Sequence, residues 1–409
     1  MGPGSSTERC DMTEAVFDIQ FTVVLKKGRD KPVRMGHPWV FSGAIWKVTG
    51  EGAPGALCRV ESGDGTLLGI GYYNRHSAIS VRMLSLTGEA FSAVDLAARI
   101  ETAVVHRAPI LAGRTDSLRL INSEGDFLPG LIVDRVADGL VVQILTAGME
   151  RMRAAVVDAL TRICRPAFIF ERSDTESRKR EGLSAADGVL TGAVSEPLTI
   201  LENGLRFGVD VSQGQKTGYF FDQRENRLLL RQFVAGRHVC DCFSYSGGFA
   251  ANALMGDATR VDVVDISASA VEWARENIAR NFAGDDRARF VCSDVFKFLR
   301  ETPDTYDCIV CDPPKFARHP KDVQRAARGY KDINLCAFKK LNSGGILFTF
   351  SCSSAVDSKL FRQIVFAAAA DSGRQIQLLH TLTAGPDHPI NIAHMEGEYL
   401  KGLVLRVVG

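Results

Sequence analysis

From about Arg237 to the end of the chain, apolar strand-like runs alternate with helix-like segments. The strand-like runs read RHVCDC, RVDVVD, ARFVC, YDCIVC and GGILFTFS. Helix-like segments lie between these runs, for example ASAVEWARENIARN after the second run. Repeated βα units favour a doubly wound α/β sheet, in which the ligand binds at the carboxyl ends of the strands. This alternation therefore predicts the fold class of the C-terminal part of the chain, and it predicts a ligand site at the strand ends.

Four consecutive predicted strands finish in an aspartate, namely Asp241, Asp265, Asp294 and Asp312. A single strand-end aspartate is explained as a helix N-cap, but four at one sheet edge indicate a ligand site. Asp265 can accept hydrogen bonds from ribose hydroxyls, and Asp294 can meet an adenine amino group. A nicotinamide dinucleotide would also fit Asp265. However, the turn FSYSGG lacks the third glycine of that motif, and Asp-Pro-Pro follows the fourth strand.

Gly247 and Gly248, in the turn after the first of these strands, allow the backbone to approach a ligand closely. With the four aspartates, this arrangement resembles the class I S-adenosylmethionine-dependent methyltransferase fold. The resemblance implies that the cofactor is S-adenosylmethionine. It also implies that Tyr245, Ser246 and Gly247 contact this cofactor, in addition to the aspartates.

The motif CDPPKF places Asp312 before two prolines, which stiffen the turn and remove two backbone donors. Carbonyl groups near Asp312 are then free to face a flat heterocycle, and Phe316 can stack on a base. We therefore expect substrate contacts from Pro313, Pro314, Lys315 and Phe316. Motifs of this Asp- or Asn-Pro-Pro kind are found in methyltransferases that act on bases.

Cys352, in FTFSCSSAV, ends the strand after the Asp-Pro-Pro helix, so it should lie at the same sheet edge as Asp312. Methylation of an exocyclic amine needs only acceptors that orient the amine. Methylation of pyrimidine carbon-5 needs a thiolate that first adds to carbon-6, and an acid at N3. Cys352 fits this nucleophile and Asp312 the N3 partner. Two alternatives stay open: a structural role for Cys352, and Cys311 as nucleophile, although its side chain should face the opposite way.

Residues 21–90 consist of short strand-like runs with glycine-rich turns, which predict a small β-domain. Residues 91–195 mix helix-like and strand-like runs and predict a middle α+β domain, and residues 196–409 form the third domain. Residues 1–20 form a tail in which GPGS resembles a cloning remnant. The first domain carries a basic run, Lys26, Lys27, Arg29, Lys31 and Arg34. From the residues alone this run is either a solvated loop or a phosphate-contacting patch.

Composition excludes several other classes of protein. The net charge is +1, so any nucleic-acid surface must be local. The 10 cysteines form no disulfide framework, and their spacing indicates no metal site. No apolar run approaches the ~20 residues of a membrane span. We therefore expect a cytoplasmic protein that does not contact a membrane.

Longer motifs resemble the bacterial 5-methylcytosine methyltransferases of large-subunit (23S) ribosomal RNA over nearly the whole chain. The motifs are GHPWVFSGAI, EGDFLPGLIVDR, FERSDTESRKREGL, GQKTGYFFDQRENR, DCFSYSGGFA, CDPPKFA, FSCSS and EGEYLKGLVLRV. The resemblance implies an N-terminal PUA domain, a middle α+β domain and a C-terminal class I methyltransferase domain. In GQKTGYFFDQR it implies further cofactor contacts at Lys216, Thr217, Phe220, Asp222 and Arg224.

The same resemblance makes Cys352 the nucleophile and Asp312 the motif aspartate. It implies ribosomal RNA as partner, contacted by Lys26, Lys27, Arg29 and Arg34, and the basic segment 315–331 would follow RNA phosphates near the active site. A homodimer is left open. Many members of the wider 5-methylcytosine group carry a second cysteine after the two prolines, where this chain has Lys315.

Three hypotheses follow from the sequence. The first is carbon-5 methylation of cytosine in large-subunit ribosomal RNA through a covalent Cys352 adduct. The second is methylation of an amino group or ring nitrogen of RNA, with Cys352 incidental. The third is an RNA-binding assembly factor that has lost catalysis, which the presence of all four strand-end aspartates disfavours.

Overall fold

A computed structural model describes residues 16–173, 176–195, 197–212, 218–317 and 320–408. The predicted cofactor contacts Lys216 and Thr217, the basic Arg318 and residues 1–15 of the predicted tail lie outside these ranges. The chain divides into two compact units. The first comprises the described residues up to Leu111, with Leu118–Ser195 and Pro389–Met395, and the second comprises the remainder.

The first unit contains two sheets with helices between their strands. Its first part contains β1 (Ile19–Leu25), α1 (Lys31–Arg34), β2 (Trp39–Phe41), β3 (Ile45–Thr49), β4 (Leu57–Glu61), β5 (Leu67–Tyr73) and β6 (Ile79–Ser85). Its second part contains α2 (Ala93–Leu111), β7 (Leu118–Asn122), β8 (Leu131–Val136), β9 (Gly139–Ile144), α3 (Ala147–Arg151), α4 (Arg153–Cys164), β10 (Phe168–Ser173), α5 (Glu176–Arg180) and β11 (Ala186–Gly192). The six-stranded sheet has the order β2-β6-β5-β4-β1-β3, and the five-stranded sheet the order β11-β10-β9-β8-β7.

One apolar cluster is shared by the two sheets of the first unit, and the six-stranded sheet has a second cluster of its own that includes Val23 and Val60. Leu57, Ile70 and Tyr72 of the six-stranded sheet cluster with Leu131 and Ile144 of the five-stranded sheet. The Tyr72 hydroxyl donates to the Pro129 carbonyl at 2.7 Å, so the buried phenol is satisfied inside this core. The small β-domain therefore does not pack as an isolated sheet.

The second unit begins with a hairpin and continues as a seven-stranded sheet covered by helices. Its elements are β12 (Leu198–Glu202), β13 (Leu205–Val209), α6 (Arg224–Leu230), β14 (His238–Cys242), α7 (Gly248–Met255), β15 (Arg260–Asp265), α8 (Ala268–Asn281), β16 (Ala288–Cys292), α9 (Val295–Glu301), β17 (Tyr306–Cys311), α10 (Val323–Lys340), β18 (Leu341–Ser351), α11 (Ser358–Ser372), β19 (Ile376–Leu382) and β20 (Lys401–Val407). The sheet order is β16-β15-β14-β17-β18-β20-β19.

Strands β14 to β18 run parallel, and β20 runs antiparallel to both of its neighbours. Apolar strands form the centre of this sheet, and helices such as α8 pack on it through Val271, Ala274 and Ile278. Ser267 caps α8 by accepting a hydrogen bond from the Ala270 amide at 3.3 Å. This is the doubly wound α/β sheet that the sequence predicts, accompanied by a small β-domain.

No helix in the described ranges is long and apolar enough to cross a membrane.

Candidate active site

Two of the four strand-end aspartates hold the backbone around the glycine turn. Asp241 lies within β14, one residue before its end, is 1% exposed and accepts a hydrogen bond from the Ala250 amide at 2.9 Å. Asp265 is the last residue of β15 and accepts from the Tyr245 and Ser267 amides at 3.0 and 2.9 Å. Burial raises the pKa of Asp241 to about 8, and the nearby carboxylates of Asp312 and Asp265 add to this shift.

Asp294 occupies a different environment. It is exposed, lies two residues beyond β16 and caps α9 through a hydrogen bond from the Lys297 amide at 2.9 Å. One of its carboxylate oxygens therefore acts as a helix N-cap. Its contact with an adenine amino group stays a prediction.

The glycine turn has a compact, left-handed backbone. Phe243, Tyr245 and Gly247 have φ values of 62°, 47° and 76°. A Cβ atom on Gly247 would lie 3.0 Å from the Cβ of Ala274, so glycine is needed here for space as well as for conformation. The ring of Phe220 meets that of Tyr245 edge-on at 5.2 Å. The structure thus brings the predicted contacts Phe220, Tyr245 and Gly247 together at the ends of β14 and β15.

Asp312 follows β17 directly and is half-buried. The Gln223 side-chain amide donates to its carboxylate, with 3.0 Å between Nε2 and Oδ2. Asn226 donates in turn to Gln223 Oε1 at 2.6 Å, which fixes the orientation of the Gln223 amide. Gln223 is thus a polar neighbour of Asp312 that the sequence reasoning did not identify.

The substrate contacts predicted after Asp312 differ in exposure. Pro313 is buried, whereas Pro314 and Lys315 are exposed. Phe316 is half-buried, and its ring packs against that of Tyr330 with 4.7 Å between the centroids. Pro314 and Lys315 are therefore accessible to a ligand, and Phe316 offers only part of its surface.

Cys352 follows the last residue of β18 and lies beside the Asp312 loop. Its side chain is partly exposed, and its Sγ is 3.9 Å from the Pro313 carbonyl oxygen. The next residue, Ser353, is fully buried; its Oγ accepts from the Ala317 amide at 3.3 Å and lies 3.0 Å from the Tyr330 hydroxyl. Ser353 therefore links the two loops, and the structure brings Cys352 and Asp312 to one edge, as the order of strands predicts.

The neighbouring cysteines have a structural environment. Cys311 is fully buried within an apolar cluster of the second unit that also contains Ala317. Cys308 is also fully buried, and burial raises the pKa of its thiol. The sulfur atoms of Cys240 and Cys242 lie 3.5 Å apart inside the sheet. In the part of the chain that the structure describes, no group of His, Cys, Asp and Glu side chains could hold a metal ion.

Lys401 is a second residue that the sequence reasoning did not single out. It begins β20 opposite Ser351, and its Nζ donates to the carbonyl oxygens of Ser353 and Tyr399 at 2.8 and 2.7 Å. Burial lowers the pKa of this ammonium group to about 8. Its only sequence signal is its position inside EGEYLKGLVLRV.

Two other predicted cofactor contacts, Arg224 and Asp222, form hydrogen bonds with other residues of the protein. Arg224 is 1% exposed and donates to both carboxylate oxygens of Asp387, at 3.0 and 2.9 Å. Asp222 is buried and accepts a hydrogen bond from the Tyr399 hydroxyl at 2.7 Å. These contacts attach residues between β19 and β20 to the chain around the start of α6, and the cofactor roles of both residues stay predictions.

The predicted RNA-contacting residues of the first unit are exposed around α1. Lys26 Nζ donates to the Gly43 carbonyl at 2.8 Å, and Arg34 pairs with Asp30 at 2.5 Å. Lys27 and Arg29 are exposed between them. In the second unit, Lys315, Arg325 and Arg328 are exposed, whereas Lys331 pairs with Asp371 at 2.7 Å.

Residues 147–396 match the family model of the S-adenosylmethionine-dependent methyltransferases, and residues 23–86 match that of a PUA-like domain. The chain is 41% identical over 404 residues to "Ribosomal RNA large subunit methyltransferase I" of Klebsiella pneumoniae strain 342, covering 97% of this chain and 100% of that protein. The protein of the same name from Shewanella denitrificans is 43% identical over 393 residues, or 94% of this chain and 99% of that protein.

Solved structures resemble the fold over nearly its whole length. A SAM-dependent methyltransferase from Streptococcus mutans matches with a TM-score of 0.81 at 21% identity, covering 94% of this chain and 100% of that one. A methyltransferase solved in complex with SAH matches with a TM-score of 0.83 at 20% identity, with the same coverage. At these identities the likeness establishes the fold, a class I methyltransferase sheet accompanied by a small β-domain.

Proposed function

The chain belongs to the S-adenosylmethionine-dependent methyltransferase family, and on this premise we propose that it forms 5-methylcytosine in large-subunit ribosomal RNA. The name that its relatives carry, "Ribosomal RNA large subunit methyltransferase I", supports large-subunit ribosomal RNA as the substrate. One observation carries the carbon-5 chemistry. The partly exposed Cys352 lies beside the Asp312 loop, with 3.9 Å between its Sγ and the Pro313 carbonyl oxygen.

The residues at the ends of β14 and β15 fit the cofactor. S-adenosylmethionine supplies the methyl group when it is bound. The left-handed turn at Tyr245 and Gly247 follows β14 at the carboxyl ends of the parallel strands, where this fold binds its ligand. Each oxygen of the Asp265 carboxylate has a second lone pair for a ribose hydroxyl. We assign Asp241, Ser246, Asp294, Phe220, Asp222, Arg224, Lys216 and Thr217 to the same cofactor site as proposals.

In the proposed reaction, the thiolate of Cys352 adds to carbon-6 of the cytosine and makes carbon-5 nucleophilic. Asp312, in its protonated form, donates a hydrogen bond to N3, which stabilises the charge that the addition places on the ring. Carbon-5 then receives the methyl group. A base removes the carbon-5 proton, and the electron pair of that C–H bond reforms the ring double bond as the bond from sulfur to carbon-6 breaks.

RNA binding is proposed for the exposed basic groups near α1, Lys26, Lys27, Arg29 and Arg34, and for the loop Pro313, Pro314, Lys315 and Phe316. Cationic side chains bind phosphates without reading sequence. A cytosine inside a helix would have to leave its stack to reach Cys352. We therefore expect the basic residues to affect RNA affinity more than the chemical step.

A second candidate is methylation of an exocyclic amine or ring nitrogen. It is favoured by the Asp312 carboxylate next to Pro313 and Pro314, because this loop offers acceptors that could orient an amine without a covalent step. In this case Cys352 would be dispensable.

The test is methylation of unmodified large-subunit ribosomal RNA by wild-type protein and by Cys352→Ser, with the product nucleoside identified by mass spectrometry. We expect the wild type to form 5-methylcytidine and a covalent adduct with RNA that contains 5-fluorocytidine. Cys352→Ser should lose at least about 100-fold in rate. Cys164→Ser, which alters a partly exposed cysteine of α4 in the first unit, is the matched control and should keep full activity. Full activity of Cys352→Ser would exclude the covalent mechanism, and an N-methylated product would favour the second candidate.

A further inference from the structure

Lys401 is buried directly beside the segment that carries Cys352. The β18–β20 register pairs Ser351 with Lys401, so Cys352 is the next residue beyond the paired position. Lys401 is 4% exposed, and its Nζ is held by the carbonyl oxygen of Ser353 at 2.8 Å. The Tyr399 carbonyl accepts a second hydrogen bond from Nζ at 2.7 Å. The amino group is therefore fixed against the turn that presents the thiol.

A buried ammonium group is costly unless an anion compensates for the water that it loses. An ammonium group has three donors, so the two carbonyl bonds leave one N–H for another acceptor. The ionisable groups that act on Lys401 are Cys352, Glu398, Lys315 and Asp357. Among them, Cys352 is the strongest partner that favours the charged amine, and the exposed Lys315 opposes it.

We propose that Lys401 is a positioning residue whose ammonium group stabilises the thiolate form of Cys352. The inference rests on the proposed role of Cys352 as the nucleophile. A neighbouring cation lowers the pKa of a thiol because it favours the ionised form. The carbonyl bonds keep this cation in place while RNA binds, so the thiolate is present before the cytosine arrives.

This interaction is reciprocal. The thiolate raises the pKa of Lys401, against the lowering effect of burial. An amine with a pKa of about 8 is mainly protonated at pH 7, so it is cationic in the range where the enzyme would need a thiolate. A purely structural role, in which Lys401 only joins two carbonyl groups, predicts no effect on the thiol.

The experiment measures the alkylation rate of Cys352 by iodoacetamide between pH 6 and pH 10 in the full chain, with peptide mass spectrometry. We expect an apparent thiol pKa below the ~8.5 of free cysteine in the wild type. In Lys401→Met it should rise by about one unit or more, which corresponds to about tenfold slower alkylation at pH 7. Lys401→Arg, which keeps the charge, should restore most of the rate.

Two controls separate charge from structure. Lys401→Gln keeps a hydrogen-bond donor but not the charge, so its thiol should behave as in Lys401→Met. It also supplies the comparison if Lys401→Met does not fold. Exposed Cys292 is the internal reference within every sample. The inference would be overturned if Cys352 were alkylated with the same pH dependence in the wild type and in Lys401→Gln. It would also be overturned if Lys401→Gln kept as much of the wild-type alkylation rate as Lys401→Arg. Because alkylation needs no RNA, this result is independent of whether Cys352→Ser methylates RNA.

Discussion

Asp241 is a carboxyl group that the fold keeps from water. It is 1% exposed, and burial raises its pKa to about 8 from an ordinary 3.8. The folded protein therefore binds a proton more tightly than the unfolded chain. As a consequence, the free energy of unfolding should fall as the pH rises from about 4 to about 8.

We predict that Asp241→Asn removes this dependence, because asparagine can still accept the hydrogen bond from the Ala250 amide but does not titrate. Between pH 5.5 and pH 7.5, the free energy of unfolding of the wild type should fall by about 1.4 kcal/mol per pH unit more than that of the variant. Urea unfolding at three pH values measures the difference. Asp286→Asn, at an exposed aspartate of the same unit, should follow the wild type. Parallel curves for wild type and Asp241→Asn would contradict the prediction.

The sequence was sufficient to bring Asp312 and Cys352 together, because consecutive βα units place neighbouring strand ends at one edge. It was not sufficient to find Gln223 or Lys401. Gln223 reaches Asp312 from a segment 89 residues away that has no strand pattern of its own. Hydrophobic periodicity reports which face of an element is buried, and it does not report which distant polar group a side chain meets.

At the scale of elements, the strand that sequence periodicity could not place is β20. It inserts between β18 and β19 and runs antiparallel to both. Its apolar run KGLVLRV is compatible with either direction and with any neighbour in the sheet. The insertion is what brings Lys401 next to Ser351. The parallel strands β14 to β18 were predictable because each is connected to the next through a helix.

The segment after β19 is attached to α6 by a buried ion pair. The guanidinium of Arg224 is 1% exposed, and the carboxylate of Asp387 is fully buried. Burial alone would raise the pKa of Asp387, but the His388 ring 3.2 Å away and the charge and hydrogen bonds of Arg224 keep it well below the ordinary value. The carboxylate is therefore ionised at neutral pH and compensates the buried guanidinium.

We predict that Asp387→Ala lowers the free energy of unfolding by about 3–5 kcal/mol, because it leaves the Arg224 charge buried without its main counterion. Glu225→Gln is the matched control. Glu225 contacts the same guanidinium at 3.0 Å but is exposed, so its loss should cost less than about 1 kcal/mol. The double variant Arg224→Met with Asp387→Ala should recover part of the loss. Urea unfolding measures the free energy of unfolding of all three variants. Equal losses in Asp387→Ala and Glu225→Gln would contradict the prediction.

At the scale of the whole molecule, each of the two compact units contains an extensive apolar cluster. Within the first unit, the six-stranded and five-stranded sheets share a core, and Tyr72 lies at their junction. Gly148 of α3 packs directly on this ring, where a Cβ atom would lie 2.1 Å from Tyr72 Cγ. Glycine is required here by space, since helical backbone at this position suits any residue.

We predict that Gly148→Ala lowers the free energy of unfolding of the first unit by about 1–3 kcal/mol through overpacking. Hydrogen exchange followed by mass spectrometry should show faster exchange in both β4–β6 and β7–β9, because the displaced Tyr72 ring lies in the apolar cluster that both sheets share. Strands β14–β18 should exchange as in the wild type. Gly43→Ala is the matched control, since no atom lies within 4 Å of the added Cβ. Faster exchange confined to β7–β9 would mean that the two sheets of the first unit open independently and that their shared core does not couple them.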